Sequence, residues 1–279
     1  MDQRVKNHIL KYLSQGLRFD GRKSDEIRDI SIEYDVSKTA EGSVKVKLGE
    51  TEVLVGVKLE VGKPYPDKQD EGTIMVNVEL LPLSSPDFES GPPSLQAIEL
   101  ARVIDRGMRE SNAVDFKNLC IEKGEAVWNI LIDVCTLNDA GNLLDAAGIG
   151  MLAALQNTYY PKLEDGKINY KEKTDKKLGL KLSPMPVTVY KLGSYFIVDP
   201  LKDEEMAADA RLTVTTISDG TICALQKGGD LPLTLDDIDK MLDLAIVKAN
   251  EIRKSIGDKN AKKWTNGIHQ IWKSKINRS

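Results

Sequence analysis

The sequence predicts an α+β protein of two related sheet-plus-helix domains, with antiparallel sheets carrying helices on one face, behind a short N-terminal helix. Segments of period-two alternation rich in branched residues recur from Ile27 to Leu83, from Leu119 to Asp139 and from Pro186 to Gly229. Each is followed by a segment that reads as a helix, from Leu95 to Asn112, from Leu143 to Tyr160 and from Thr234 to Gly257. Runs of strands followed by helices, rather than strict alternation, mark the α+β class.

The 279 residues are 41% hydrophobic and 29% charged, enough to bury one large core or two smaller ones. The formal net charge is -4, so any footprint for nucleic acid has to be local. Cys120, Cys135 and Cys223 are odd in number and lack metal-ligand spacing. They are expected to be buried thiols in a reducing compartment, and no metal or cofactor is expected. The opening MDQRVKNHILKYL lacks the apolar run of a signal peptide, and no stretch approaches the ~20 apolar residues of a membrane span. A soluble cytoplasmic protein without a membrane partner is expected.

Residues 1–25 hold a helix and a turn. Val5, Ile9, Leu10 and Leu13 fall at helical spacing, Gly16 suits the helix stop, and Leu17–Arg22 (LRFDGR) reads as a turn. Residues 26–160 form the first domain. Val44, Val46 and Leu48 alternate, as do Val53, Val55 and Val57, with a hairpin turn at Gly49-Glu50-Thr51. Gly62–Gly72 reads as an exposed loop, and Lys123-Gly124 as a turn between two further strands. The Ala- and Gly-rich run from Leu143 is apolar nearly all round and predicts a buried central helix.

Residues 161–184 are lysine-rich and poorly patterned and read as the connector. Residues 185–257 form the second domain, with a turn at Asp219-Gly220. Its last helix is announced by the capping box Thr234/Asp237 and carries the stripe Ile238, Met241, Leu242, Ala245 and Ala249. Residues 258–279 form a basic tail with Trp264 and Trp272, whose role the pattern leaves open.

The helix opened by Pro92, Pro93 and Ser94 carries the most chemistry. Leu100, Val103, Ile104, Gly107 and Met108 make its buried stripe, and Arg102, Arg106 and Arg109 stack on the other side. Three guanidiniums at this spacing repel one another, and Glu99, Asp105 and Glu110 offer partial local relief. Pattern alone makes this a solvated face with intrahelical ion pairs; a phosphate-bearing partner would offset the charge more completely.

Several stretches together resemble the RNase PH family, and within it the non-catalytic subunit of the archaeal exosome ring. They are LRFDGR (17–22), PYPD (64–67), GTIMVNVELLPL (72–83), GPP with AIELARVIDRGMRES, IDVCTLNDAGNLLDA (132–146) and VDPLKDEE (198–205). The likeness spans about residues 5 to 256 and implies an RNase PH-like fold. Active members of that family cleave RNA from its 3′ end with inorganic phosphate, using an arginine pair, an Asp-Ala-Gly-Ser-Arg phosphate loop and a catalytic carboxylate. This chain departs from all three. Leu95 and Gln96 stand for the arginine pair, the loop reads Asp139-Ala140-Gly141-Asn142-Leu143, and Arg211 stands for the carboxylate, with Asp209 two residues away.

The resemblance therefore implies no catalytic residue and no metal site in this chain, with Asp203, Glu204, Glu205 and Asp209 read as a surface acidic segment. It implies that Arg102 and Arg106, and with less weight Arg109, reach single-stranded RNA bound in a catalytic RNase PH-like neighbour. Three heterodimers would form the ring, and cap subunits with RNA-binding domains would sit on it. The alternatives are an active phosphate-dependent 3′-5′ exoribonuclease working as a homohexamer, and a free-standing RNA-binding module.

Overall fold

The computed structural model describes residues 3–164 and 167–257; the basic tail 258–279 lies outside the described residues. Helix α1 (Gln3–Leu13) buries Ile9 and Leu13 and half-buries Val5 and Leu10. Strands β1 (Ile30–Tyr34), β2 (Gly42–Leu48), β3 (Thr51–Gly62), β4 (Thr73–Glu79), β5 (Cys120–Glu122) and β6 (Ala126–Asn138) build the first sheet. Its order is β1-β2-β3-β6-β4, with β5 also paired to β6. The register Val46↔Val53 across the hairpin, then Val55↔Val134, puts one residue in two on a single face. There Val44, Val46, Val53, Val55, Val57 and Ile130 are fully buried.

One strand departs from the all-antiparallel expectation. β4 runs parallel to β6, with Ile74 opposite Ile130 and Val78 opposite Val134. The intervening chain is no hairpin: it carries helix α2 (Leu95–Glu110), and a crossover of that length brings the chain back in the same direction.

Helix α3 (Leu143–Gln156) is buried at every position from Leu143 to Leu155, as its composition predicts. Strands β7 (Tyr159–Glu164) and β8 (Lys167–Lys177) then pair as an antiparallel hairpin in the segment expected to be an irregular connector. The lysines that hide its alternation take part in it. Lys176 Nζ stands 4.9 Å from the centre of the Tyr160 ring and Lys177 Nζ 5.0 Å from that of Tyr159, so cation–π contacts supply what branched side chains supply elsewhere.

The second sheet has the order β10-β9-β11-β12, from β9 (Met185–Leu192), β10 (Tyr195–Val198), β11 (Ala210–Thr216) and β12 (Ile222–Gly228). Helix α4 (Lys202–Ala207) links β10 to β11, and α5 (Leu235–Ser255) starts at the capping box of Thr234 and Asp237. α3 lies between the two sheets. A side chain at Gly150 would strike Val55 of the first sheet, and one at Gly148 would strike Pro186 of the second. Thr188 of β9 hydrogen-bonds Asp145 of α3 from the same face as Pro186. The alternate residues of β9 face α5, whose Asp237 reaches Lys191 at 2.6 Å. Helices therefore cover both faces of this sheet, not one as expected. The unbroken burial from Met185 to Tyr190 is the pattern of a strand covered on both sides. One hydrophobic core runs from Val44 through α3 to Val187 and Met241.

The three cysteines are free but half-buried, not buried as expected, because they sit on strand faces or edges that solvent still reaches. Partial burial pushes the Cys135 and Cys223 thiols up, and for Cys135 the Glu79 and Asp133 carboxylates add to this. No described helix is long and apolar enough to cross a membrane.

Candidate nucleic-acid interface

The Ser94 side chain caps α2, accepting from the Ala97 N–H at 3.2 Å, after the two prolines have fixed the approach. Ala97, Leu100, Val103, Ile104, Gly107 and Met108 are buried. Gly107 is the closest approach to the second sheet, since a Cβ there would strike the Thr215 side chain. This locks the rotation of the helix, so that its arginine-bearing face is held beside an open groove of about 690 Å³. α2 forms one wall, and Thr213, Thr215, Leu225 and Gln226 of β11 and β12 form the other.

Arg102 and Arg106 are exposed in this groove and make no hydrogen bond or ion pair among the described residues. Of the three acids expected to relieve them, Glu110 lines the same groove without an ion pair among the described residues, and the other two are engaged elsewhere. Asp105 pairs with Arg109 through both carboxylate oxygens, at 2.9 and 2.8 Å, and Glu99 pairs with Arg211 at 2.7 Å. Arg109, on the same face, also donates to the Ile74 carbonyl, which ties it to β4. Of the three arginines singled out from the sequence, two make no ion pair among the described residues, and the third is pinned.

A second cleft, of about 450 Å³, lies at the first turn of α2, where Leu95 is 87% exposed and Gln96 is also exposed. Around it both cations, Lys202 and Arg211, and the carboxylates of Asp139, Glu205 and Asp209 have internal partners. Asp139 accepts from the Gly141 N–H at 3.1 Å and pairs with Lys202. The Asn142 N–H donates to Glu205 at 3.2 Å, and the Tyr190 hydroxyl donates to the same carboxylate at 2.8 Å. Asp209 pairs with Lys6 of α1 and accepts from the Gly193 N–H at 2.6 Å. Burial raises the Asp209 pKa, but Lys6 and the Gly193 N–H outweigh it and hold the carboxyl below its usual range. An ionised, lysine-paired carboxylate is a poor proton donor. No group of three or more His, Cys, Asp or Glu side chains able to hold a metal is found among the described residues.

The LRFDGR and VDPLKDEE segments form the frame behind this loop. Buried Arg18 pairs with buried Glu204 and donates to the Val198 and Asp199 carbonyls at 2.9 and 2.7 Å. Arg22 and Arg28 both reach the Asp199 carboxylate, at 3.0 and 2.7 Å. Burial raises the Asp199 pKa, but Arg28 overrides it and keeps the group ionised. Arg28 also grips the Ala140 and Gly141 carbonyls, at 3.1 and 3.0 Å. Asp145, buried in α3, accepts from the Thr188 N–H and hydroxyl at 2.9 and 2.8 Å; burial pushes its pKa up to about 7.

Sequence reasoning missed Arg28, Asp145 and the Glu99–Arg211 pair. Each is an ordinary residue locally, and its partner is far along the chain. The β11–β12 wall of the groove carries no motif that could have announced it.

Domain 1 of the 3′ exoribonuclease family, RNase PH, matches residues 26–161, and domain 2 matches residues 183–248. The chain is 47% identical to exosome complex component Rrp42 of Methanosarcina acetivorans over 248 residues, 89% of this chain and 91% of that one. It is 47% identical to Rrp42 of Thermococcus kodakarensis over 260 residues, 90% of this chain and 94% of that one. Its fold superposes with a TM-score of 0.83 on a chain of the Archaeoglobus fulgidus exosome with RNA bound to the active site. That chain is 44% identical, and the match covers 90% of this chain and 97% of the other. With both domains matched in order and two fifths or more of the residues shared along nine tenths of its length, this chain belongs to the RNase PH 3′ exoribonuclease family.

Proposed function

We infer that this chain is a non-catalytic component of an archaeal-type exosome, a 3′-to-5′ RNA-degrading complex of the cytoplasm. It completes a hexameric ring of three heterodimers with a catalytic RNase PH-like partner, helps structure that partner's active site, and holds single-stranded RNA with Arg102 and Arg106. Arg109 adds charge to the same face but stays bound to Asp105. Cap subunits with RNA-binding domains complete the assembly.

The observation that carries this reading is the contrast along one helix. At the start of α2, Leu95 and Gln96 offer no cation, and the cations of the adjacent cleft are neutralised internally. Two turns on, Arg102 and Arg106 stand in an open groove without an ion pair among the described residues. An unpaired guanidinium pair is suited to bind phosphates and has no local structural use, because exposed cations this close repel. RNA held this way should bind with strong salt dependence.

The test is in two parts. Incubated alone with oligo(A) and inorganic phosphate, the chain should release no nucleoside diphosphate; release would make it an active phosphorolytic enzyme in its own right. Mixed with the catalytic partner, it should give a species of the mass of three heterodimers. A monomer that ignores the partner would make it a free-standing RNA-binding module.

A further inference from the structure

Resting on the reading that Arg102 and Arg106 hold RNA phosphates, we propose that Arg211 is a third phosphate contact on the same track, held in the unbound chain by Glu99, which RNA displaces.

Arg211 lies on β11 opposite Gly228 of β12. A Cβ at Gly228 would collide with the Arg211 guanidinium, so the glycine leaves space for the side chain to lie across the edge strand. It ends at Glu99 of α2, 2.7 Å away, with the Arg211 side chain 25% exposed and that of Glu99 39%. Glu99 lines both the arginine groove and the second cleft, and so stands at their junction.

Glu99, Arg102 and Arg106 share one helix face. From Arg106 to Arg102 the helix rises ~6 Å, and from Arg102 to Glu99 a further ~4.5 Å, at 1.5 Å per residue. A guanidinium held at Glu99 therefore continues the row by about one step. On that spacing Arg211 would follow Arg106 and Arg102 from the second cleft, which Glu99 joins to the groove.

Three features separate this arrangement from a plain structural strut. An ion pair this exposed contributes little to stability, so the chain loses little when the pair is exchanged for another. A phosphate offers the planar guanidinium two acceptor oxygens, where the Glu99 pair is recorded through one N–O contact. Glu99 also sits one turn from Arg102, where its charge repels the incoming backbone. Arg211 can then lie quiet in the free chain and become an RNA contact on binding.

The experiment uses the complex of this chain with its catalytic partner and a fluorescent oligo(A), with affinity read by anisotropy across a salt series. Arg211→Gln should lower affinity about fivefold at ~0.1 M salt and flatten the plot of log K against log salt by about 0.7, the value for one single-strand phosphate contact. Arg211→Lys should keep most of the slope. Glu99→Gln should raise affinity about two- to fivefold by removing the competing charge, and adding Arg211→Gln should cancel most of that rise, which a purely structural Arg211 would leave in place. If the Arg102→Ala/Arg106→Ala chain binds weakly while the Arg211→Gln complex matches the unaltered one, Arg211 is no contact and the reading of the other two arginines stands. If none of these changes alters affinity, both ideas fall. Should Arg211→Gln prevent assembly, Glu99→Gln decides alone, and unchanged affinity overturns the proposal.

Discussion

Replacing Arg102 and Arg106 together with alanine isolates the groove's charge from its scaffold. Both side chains are exposed and unpaired among the described residues, so the folded chain should lose no more than about 0.5 kcal/mol of stability. Relief of their mutual repulsion at i, i+4 should return about 0.2–0.5 kcal/mol. Binding should respond quite differently. Each single-strand phosphate contact contributes a slope of about −0.7 in log K against log salt, so two contacts contribute about −1.4. At ~0.1 M salt that is a loss of about 25-fold in affinity for the double variant. Between 50 and 200 mM salt, the two contacts account for about sevenfold of the weakening seen in the unaltered complex, and the variant should lack that share. The assay is anisotropy of labelled oligo(A) on the assembled complex, with thermal unfolding of each chain as the control for folding. Equal slopes for the two complexes would refute the reasoning. Failure of the double variant to assemble would also refute it, because the arginines would then be interface ion pairs.

Other residues give sharp expectations for stability. Arg18→Ala takes the cation from the buried Glu204 carboxylate, leaving it the Leu201 N–H, and removes a donor from the Val198 and Asp199 carbonyls; it should cost about 3–5 kcal/mol in urea unfolding, and a loss below 1 kcal/mol would show that the Arg18 frame is dispensable. Burial pushes the Asp145 carboxyl up to about 7 from the 3.8 of an exposed aspartate, so the folded state keeps that proton longer than the unfolded chain does. Stability should therefore fall as pH rises from about 4 to 7, and Asp145→Asn should flatten that slope; a slope unchanged in the variant would assign the titration elsewhere. Gly148→Ala drives a methyl into the Pro186 ring and should cost about 1–3 kcal/mol by thermal unfolding, with a neutral result showing that α3 can shift away from the second sheet.

Much of the scaffold was legible because its elements obey local rules. β2 and β3 alternate through Val44, Val46, Val53 and Val55, and α2 and α5 begin at residues whose side chains cap them, Ser94 and Thr234. What the sequence did not disclose is non-local. The parallel direction of β4 follows from the α2 crossover, while its own alternation would suit either direction. The β7–β8 hairpin stacks lysines on tyrosines, and lysine composition reads as linker. The second sheet's cover on both faces depends on α3 being shared between the sheets, which no window of sequence records.

The site divides in the same way. The arginine row was visible from helical spacing alone, but its charge state was not. Asp105 and Glu99 are near enough in sequence to neutralise Arg102 and Arg106, and only the fold shows them committed to Arg109 and Arg211. The changes at Leu95, Asn142 and Arg211 were likewise legible as residue types. That Asp209 faces Lys6 of α1, and that Glu205 meets the Asn142 N–H, required three-dimensional placement.

The central claim is that this chain holds RNA for chemistry performed by its neighbour. It is tested most directly by measuring nucleoside diphosphate release from oligo(A) in phosphate by the catalytic partner, assembled either with the unaltered chain or with Arg102→Glu/Arg106→Glu. The account predicts a complex of unchanged mass whose turnover at limiting RNA falls by more than an order of magnitude with the altered chain. Equal turnover by the two complexes would contradict it.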